Sequence, residues 1–253
     1  MIGPVRIAEG LRRRERMHRL RGDAVHCPCC GRSFARFLDD WNRPDAVCPR
    51  CGSHERHRLL RLWLERRGEL SGRLLHFAPE YCLGRWLGAQ PGLDYVTSDF
   101  AGNEADLQLD MTRIDLPDAG FDAVIASHVL EHIADERAAL HELARILRPG
   151  GRAIVMVPVD HERPETYEDP AITTPAGRER AYRQHDHVRL YGADVTARLS
   201  IPGLTFSADA YAVELGAAVR QRHRLLEADE IYVGRRGRGV GVGVGVGVGV
   251  GGA

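Results

Sequence analysis

The sequence predicts an α/β fold in which helices cover both faces of a mainly parallel sheet. From residue 73 to residue 157, short apolar runs alternate with segments of helical periodicity, and this alternation is typical of a parallel sheet. The chain has 253 residues, of which 43% are hydrophobic. It is therefore long enough to bury one such core and to carry a small accessory module.

Charge and hydropathy narrow the classes of partner. The formal net charge is zero and the isoelectric point is about 7.2, so no overall positive field favours a nucleic acid or a membrane. All 35 basic residues are arginine, which we interpret as a bias of the coding sequence. No apolar run approaches the ~20 residues of a membrane span, and the N-terminus lacks the apolar core of a signal peptide. We therefore expect a cytoplasmic protein without a membrane partner.

Two pairs of cysteines predict a small zinc module at residues 23–56. Each pair has the C-x-x-C spacing and is followed by glycine, in CPCCG and CPRCG, with seventeen residues between the pairs. Four thiolates at this spacing are typical of a zinc ribbon. The predicted ligands of a structural Zn²⁺ ion are Cys27, Cys30, Cys48 and Cys51.

Two alternatives stay open for these cysteines. Cys29 could replace Cys30 in the first pair, which would leave Cys30 as the odd thiol. The cysteines could also be core residues without a metal, or a redox pair, although a reducing compartment disfavours disulfides. His54 and His57 are reserve ligands, but their place at the start of a helix indicates polar residues that bind no metal.

The N-terminal arm and a connecting helix flank this module. Residues 1–22 are rich in arginine and lack apolar periodicity, which predicts a mobile or weakly helical arm. From Ser53 to Gly68, apolar residues recur at helical spacing, with Ser53 as the predicted cap. This helix joins the zinc module to the sheet domain.

The predicted sheet domain covers residues 57–233. Its predicted strands are RLLHFA, LDYVTSDF, ADLQLDMT, FDAVIAS and RAIVMVPV. The helix YCLGRWLGA follows the first strand, and the helix ADERAALHELARIL precedes the last strand and stops at a Pro-Gly-Gly sequence. Residues 234–253 are largely a Gly-Val repeat that cannot build a core, and we expect them to be disordered.

The loop after the first strand, HFAPE, lies where such a sheet holds a nucleotide cofactor, yet it has no glycine. A pyrophosphate needs close approach of the backbone and amide donors, which is the role of the glycines in G-x-G-x-x-G. Their absence argues against NAD and for a cofactor without phosphate. Asp99 ends the second strand, where an acidic residue commonly binds a ribose, and Asp110 ends the third strand beside the expected adenine.

These segments resemble the class I S-adenosylmethionine-dependent methyltransferases, and within them a bacterial subgroup with an LHFAPE loop after a zinc-binding segment. The resemblance covers about residues 27–233 and rests on LLHFAPE, FDAVIASHVLEHIADERAALHELARILRPGG and DHVRLYG. It implies a Rossmann-like sheet with S-adenosyl-L-methionine as the cofactor. The first motif departs from the E/D-x-G-x-G of the family at large. The implied cofactor residues are Phe77, Ala78, Pro79 and Glu80 at the methionine moiety, Asp99 at the ribose, Asp110 and Met111 at the adenine, and Ser127 and His128 in the closing loop.

Methyl transfer is an in-line displacement, so an enzyme contributes mainly by aligning the nucleophile, the methyl carbon and the sulfur. A base is needed only when the acceptor arrives protonated, and the candidates are His128 and His187. His187 and Arg189 belong to a polar segment, residues 158–192, that is longer than a connection requires. We interpret this segment as a substrate lid. Its histidines and carboxylates could instead bind a second metal.

The favoured function is methyl transfer to a small molecule or a glycan, with the zinc module as a structural or substrate-shaping unit. The first alternative is an RNA methyltransferase, because some of these carry an N-terminal zinc module and the arginines of the arm could contact phosphates. The second alternative is a zinc-ribbon adaptor that binds the cofactor without turnover. The sequence identifies neither the acceptor atom nor the oligomeric state.

Overall fold

Two short hairpins follow the arm in the computed structural model, which describes residues 14–41, 43–68 and 70–238. Residues 14–19 are helical, and the first part of the predicted arm lies outside the described residues. The hairpins pair β1 (Val25–Cys27) with β2 (Arg32–Phe34) and β3 (Leu38–Asp40) with β4 (Arg43–Val47). Phe34 and Phe37 are buried here together with Cys27 and Cys48. The predicted cysteine module therefore has a small apolar core of its own.

The helix α1 (Glu55–Arg67) leads from this module to the sheet. Its N-cap is His54, whose backbone N–H donates to Nδ1 of His57 at 3.2 Å. The prediction that Ser53 caps the helix is wrong. Ser53 is buried and its Oγ lies 3.1 Å from Sγ of Cys27, so the hydroxyl is engaged by the cysteine cluster.

Seven strands form the central sheet. They are β5 (Gly72–Phe77), β6 (Leu93–Asp99), β7 (Leu107–Gln108), β8 (Phe121–Ser127), β9 (Leu147–Met156), β10 (Leu204–Asp209) and β11 (Ile231–Arg236). Their spatial order is β10-β11-β9-β8-β5-β6-β7. The strands β5 to β9 are parallel, whereas β11 pairs antiparallel with both β9 and β10. The mainly parallel sheet predicted from the sequence is confirmed.

Helices cover both faces of this sheet. Alternate residues of each strand point to opposite faces. Leu75 and Val124 therefore pack with Leu143, whereas Leu74 packs with Leu60 on the other face. The helices after α1 are α2 (Tyr81–Leu87), α3 (Glu136–Ile146), α4 (Pro175–Tyr182), α5 (Val195–Leu199), α6 (Tyr211–Glu214) and α7 (Gly216–His223), and a 3₁₀ turn spans Leu130–His132. Among the described residues, no helix is long and apolar enough to cross a bilayer.

The Pro-Gly-Gly sequence belongs to a strand and does not terminate a helix. The helix α3 ends at Ile146 and β9 begins directly at Leu147, with a register irregularity in its pairing with β8. Gly151 fits this irregularity because a Cβ there would lie 2.8 Å from the carbonyl oxygen of Arg148. The prediction that the helix stops at these glycines was therefore wrong.

Two predicted boundaries fall inside secondary structure. The helix α1 begins at Glu55, two residues before the predicted domain start at residue 57, and β11 runs to Arg236, beyond the predicted domain end at Val233. The remaining Gly-Val repeat, from residue 239 onward, lies outside the described residues.

Candidate functional site

A cavity of about 770 Å³ lies at the carboxyl ends of the parallel strands β5 to β8. The strand order reverses here, because β6 and β8 lie on opposite sides of β5. Ligands of open α/β sheets bind at such a switch point. Six of the nine predicted cofactor residues line the cavity, namely Phe77, Ala78, Asp99, Asp110, Met111 and His128.

The loop after β5 contains no glycine, but its small residue Ala78 allows the backbone to lie close to this cavity. Ala78 has a positive φ of 46°, and its backbone N–H donates to the carbonyl oxygen of Ser98 at 2.7 Å. A left-handed conformation favours glycine, and alanine is the next smallest side chain. The Oγ atom of Ser98 is buried without a hydrogen-bond partner among the described residues and lines the cavity.

Glu80 occupies the N-cap position of α2 and faces histidines from two elements. Its Oε1 lies 3.5 Å from Nε2 of His57, and its Oε2 lies 3.2 Å from Nε2 of His76. Burial alone would raise the pKa of Glu80, but the contact with His76, aided by the charge of His57, lowers the pKa to about 2. A helix N-terminus that would otherwise attract a phosphate therefore carries a carboxylate.

Glu80 and Ser127 line a neighbouring cavity together with Ala78 and His128. The predicted cofactor residues thus divide between two adjoining cavities that share Ala78 and His128. Pro79, the remaining predicted cofactor residue, lines neither of these two cavities.

Asp99 holds the loop after β6 with one oxygen. Its Oδ1 accepts hydrogen bonds from the backbone N–H groups of Ala101 at 2.8 Å and Asn103 at 3.3 Å. Its Oδ2 has no hydrogen-bond partner within residues 14–41, 43–68 and 70–238, so it is available to a ligand of the cavity. The adjacent Phe100 is 75% exposed and lines the same cavity.

Phe100 is a residue that the sequence reasoning missed. The signal was present, since an aromatic residue in the polar segment SDFAGNE directly follows the expected ribose ligand. Asp110, in contrast, was found, but its Oδ1 accepts from the backbone N–H and the hydroxyl of Thr112 at 2.8 and 2.7 Å. Asp110 therefore stabilises the turn that presents the buried Met111 to the cavity.

His128 stands where the cavities meet. It has a positive φ of 55°, and its backbone N–H donates to the carbonyl oxygen of Met156 at 2.8 Å. Its Nδ1 lies 3.1 Å from Oε1 of the buried Glu131. Besides the two cavities described above, His128 lines a third one.

This third cavity, of about 280 Å³, lies between the cysteine module and the sheet domain. Arg43 and Glu55 border it on one side, and Met156 at the end of β9 borders it on the other. Asp229 also lines it, and burial raises the pKa of this carboxyl to about 6, with Glu55 adding to the increase and His128 opposing it. Asp229 was not predicted, because it lies in a loop without a sequence motif.

His187 and Arg189 are buried, which argues against direct contact of Arg189 with a substrate. Arg189 donates to the carbonyl oxygens of Leu130 at 2.6 Å and Ile133 at 2.7 Å, and its Nε donates to Glu168. It therefore anchors the segment of residues 158–192 to the turn after β8. His187 donates through Nδ1 to the carbonyl oxygen of Tyr182 at 3.3 Å.

The structure brings the four predicted metal ligands together. The Sγ atoms of Cys27, Cys30, Cys48 and Cys51 all lie within 4.8 Å of one another. The distance from Cys27 to Cys51 is 3.6 Å and that from Cys30 to Cys48 is 3.7 Å. Sulfurs bound to one tetrahedral Zn²⁺ at about 2.3 Å would lie ~3.8 Å apart. The cluster contains Cys30, whereas Sγ of Cys29 donates to the carbonyl oxygen of His57 at 3.5 Å.

Comparisons with known proteins match part of this chain. Residues 89–155 match the family model described as a methyltransferase domain. The demethylmenaquinone methyltransferase of Mycolicibacterium paratuberculosis (strain ATCC BAA-968 / K-10) is 50% identical over 46 residues, which are 18% of this chain and 20% of that protein. The enzyme of the same name from Mycobacterium sp. (strain KMS) is 40% identical over 76 residues, which are 26% of this chain and 33% of that protein.

One solved structure to which the chain is similar is that of Burkholderia thailandensis 1,6-didemethyltoxoflavin-N1-methyltransferase. It is 12% identical, covers 72% of this chain and 78% of its own, and has a TM-score of 0.48. The matches to the curated relatives span a third or less of the length of those proteins. The segment matched by the family model contains β6, β7, β8 and α3, and the loops that follow its strands supply most of the residues that line the cavity at the switch point. The described residues therefore form a Rossmann-like sheet, part of which matches a methyltransferase domain, preceded by a small cysteine-rich unit.

Proposed function

We propose that the protein is an S-adenosyl-L-methionine-dependent methyltransferase that acts on a small molecule or a glycan. The observation that carries this proposal is the cavity at the switch point, whose walls contain six of the nine residues expected to bind the cofactor. The match of residues 89–155 to a methyltransferase domain supports the same activity. When bound, the cofactor supplies an electrophilic methyl group on a sulfonium.

The residues present fit a nucleoside cofactor without phosphate. Oδ2 of Asp99 is available to accept hydrogen bonds from ribose hydroxyls, and the exposed ring of Phe100 offers an apolar face to a base. The carboxylate of Glu80 at the start of α2 would repel a pyrophosphate but not a cationic sulfonium or amino group. These features favour S-adenosyl-L-methionine over NAD.

The acceptor is proposed to occupy the cavity of about 280 Å³ that meets the cofactor cavity at His128. With its pKa raised to about 6 by burial, Asp229 is ionised at neutral pH yet more basic than an ordinary aspartate. It can therefore accept the proton of a hydroxyl or an amine. His128, held beside Glu131, is proposed to position the acceptor towards the methyl group.

The cysteine module is proposed to bind one structural Zn²⁺ and to shape the acceptor cavity. Arg43, in this module, lines that cavity together with Glu55 at the start of α1. Loss of the ion would therefore be expected to disturb a wall of the acceptor cavity. The small volume of the cavity supports a small acceptor or the end of a glycan over a folded macromolecule.

An RNA acceptor remains the second candidate because of an arginine-lined cavity on the cysteine module. This cavity, of about 450 Å³, is lined by Arg14, Arg21, Arg32 and Arg50. None of these four side chains forms a salt bridge within the part of the chain that the structure describes. Arginines without carboxylate partners are suited to phosphate contacts.

Calorimetry with S-adenosylhomocysteine tests the cofactor assignment. In Asp99→Asn, Oδ1 can still accept the hydrogen bonds of the loop, whereas Oδ2 is replaced by an NH₂ group that only donates. The ribose hydroxyls therefore lose an acceptor. We expect affinity to fall by about 2–3 kcal/mol, or roughly 30- to 150-fold. Asp94→Asn is the matched control, because Asp94 lies on the same strand, is exposed, and pairs with Arg73. Binding of NAD but not of S-adenosylhomocysteine by the parent protein would refute the proposal. Cofactor binding without methyl transfer to any acceptor in a screen with labelled cofactor would favour the adaptor.

A further inference from the structure

Three side chains converge beside the cofactor cavity, and two of them, His132 and His187, have no part in the proposed methyl transfer. One ligand atom from each of Glu131, His132 and His187 lies within 4.8 Å of the other two. Glu131 and His132 belong to the 3₁₀ turn after β8, and His187 comes from the segment of residues 158–192. We propose that these three residues bind one divalent first-row transition-metal ion.

The buried carboxylate of Glu131 lacks a full set of partners among the described residues. Glu131 is fully buried, and neither of its carboxylate oxygens has a hydrogen-bond partner among the described residues. Nδ1 of His128 lies 3.1 Å from Oε1, but the alignment is not that of a hydrogen bond. An unpaired buried carboxylate is strongly destabilising. A divalent ion bound to its oxygens would remove that penalty.

His187 is oriented as a metal-bound histidine commonly is, and His132 has a carboxylate near its Nδ1 atom. Nδ1 of His187 faces the carbonyl oxygen of Tyr182 at 3.3 Å, and Nδ1 of His132 faces a carboxylate oxygen of Asp186 at 3.4 Å. Because a carbonyl oxygen only accepts, Nδ1 of His187 carries the proton in its contact with Tyr182, which leaves Nε2 of that ring to offer its lone pair. Metal-bound histidines commonly donate their other N–H to a carbonyl or a carboxylate in this manner.

The donor set defines the class of ion. Two imidazoles and one carboxylate suit Zn²⁺, Co²⁺ or Fe²⁺ better than Mg²⁺ or Ca²⁺, which prefer oxygen ligands. Atoms bound to one such ion at about 2.1 Å lie ~3–4 Å apart, so small side-chain rotations close the site. His132 is half-buried and has the freedom to make this movement.

The site opens towards the cofactor cavity. His132 and Asp186 line that cavity together with His128. Three protein ligands leave coordination positions free, and we expect an oxygen atom of the molecule bound in the cofactor cavity to fill one of them. This last step rests on the proposed methyl transfer, whereas the metal site itself does not.

Titration with Co²⁺ tests the site in the full chain after its cysteines have been loaded with Zn²⁺. We expect one Co²⁺ per chain, with d–d absorption of nitrogen and oxygen ligands and without the thiolate charge transfer that a cobalt-substituted cysteine site would show. Glu131→Gln and His187→Gln should each weaken binding roughly 100-fold or more. His185→Gln is the matched control, because His185 is exposed and lies two residues from His187. It should bind Co²⁺ like the parent protein.

The outcomes separate the metal site from the proposed function. No saturable Co²⁺ binding by the zinc-loaded parent, or equal binding by the parent and all variants, overturns the metal site. Should Glu131→Gln fail to fold, His132→Gln replaces it, since this ring is half-buried. Calorimetry with S-adenosylhomocysteine on the same samples gives an independent result. If the protein binds S-adenosylhomocysteine but no Co²⁺, only the metal site is refuted. If it binds Co²⁺ but no S-adenosylhomocysteine, only the cofactor assignment is refuted.

Discussion

Nε of Arg58, on the helix that leaves the cysteine module, donates to the carbonyl oxygen of His223 at 2.7 Å, 165 residues further along the chain. The same guanidinium donates to the carbonyl oxygens of Arg224 at 2.9 Å, Ala46 at 2.9 Å and Ser53 at 2.6 Å. Arg58 is fully buried. One cation thus joins the cysteine module to the end of α7.

Arg58→Met should lower the stability of the protein strongly. The variant has an apolar side chain of similar length and removes a donor from four carbonyl oxygens, of which that of Ser53 keeps the backbone N–H of Cys48. Buried polar groups that lose their partners typically cost ~1–3 kcal/mol each, and part of this cost is recovered through water, so we expect a loss of about 3–5 kcal/mol in urea unfolding.

Arg66→Met is the control for this prediction. Arg66 lies on the same helix but is exposed, so its replacement should change the free energy of unfolding by less than about 0.5 kcal/mol. Equal effects of the two substitutions would show that Arg58 does not join the two parts of the chain.

Replacement of single cysteines should distinguish the two possible registers of the zinc site. Cys30→Ser removes a sulfur that lies 3.7 Å from Cys48, and we expect it to reduce the zinc content from about one ion per chain to well below one, with a lower Tm. Cys29→Ser should keep the ion, because Cys29 contacts the backbone of His57 and lies outside the cluster.

Elemental analysis of protein produced with excess zinc measures both results. Protein without metal would remove the zinc site altogether. Full zinc content in Cys30→Ser together with loss in Cys29→Ser would reverse the register.

Patterns that are local in sequence could be predicted, whereas contacts between distant segments could not. The C-x-x-C pairs, the alternating strands and Asp99 at a strand end are signals within a few residues, and the structure places each at the expected position in the fold. Asp229 lies opposite residues that come from far earlier in the chain, and no periodicity marks it.

The segment that contains His187 gives a second example of contacts that the sequence did not reveal. This segment is polar and long, which predicts a substrate lid. The pairing of Tyr167 with Leu190 and the buried guanidinium of Arg189 attach the end of the segment to the turn after β8, while residues 161–165 stay exposed. The polar composition of the segment does not reveal that Arg189 donates to several carbonyl oxygens. These hydrogen bonds hold Arg189 and its neighbours in the interior.

Asp229→Asn should stabilise the protein at neutral pH. Burial raises the pKa of Asp229 to about 6 in the folded state, above its ordinary value of 3.8, so the ionised form is disfavoured by folding. This penalty is absent below about pH 3.8, grows as the pH rises to about 6, and is constant above that pH. The gain in Tm of the variant over the parent should therefore be larger at about pH 7.5 than at about pH 5.

The rate of methyl transfer should fall in Asp229→Asn, although the stability of the variant should rise. A general base at this position must be ionised, so kcat/KM of the parent should rise with pH through about 6, and the variant should be slower throughout. Glu227→Gln removes one negative charge from an exposed loop position and should change neither the pH dependence of Tm nor that of kcat/KM. An Asp229→Asn variant of unchanged stability and activity would exclude Asp229 as the general base.

RNA binding should be weak, and its dependence on salt decides between the two acceptor classes. If RNA lies along the arginine-lined cavity, the log–log plot of affinity against salt has a slope of about −0.7 for each phosphate that is neutralised on a single strand. The double variant Arg32→Gln and Arg50→Gln should then reduce the magnitude of that slope by about 1.4. Point substitutions are preferred to deletion of residues 1–22, because Met17 and Leu20 pack against the core of the cysteine module.

We expect the parent protein and the double variant to bind single-stranded RNA equally weakly, because the net charge of the chain is zero and the acceptor cavity is small. Fluorescence anisotropy with a labelled oligonucleotide at several salt concentrations measures the slope. Arg36→Gln serves as the control, since Arg36 pairs with Asp39 on the same module but does not line the arginine cavity. Tight binding that falls steeply with salt in the parent and in Arg36→Gln, and is lost in the double variant, would replace the small-molecule acceptor by RNA.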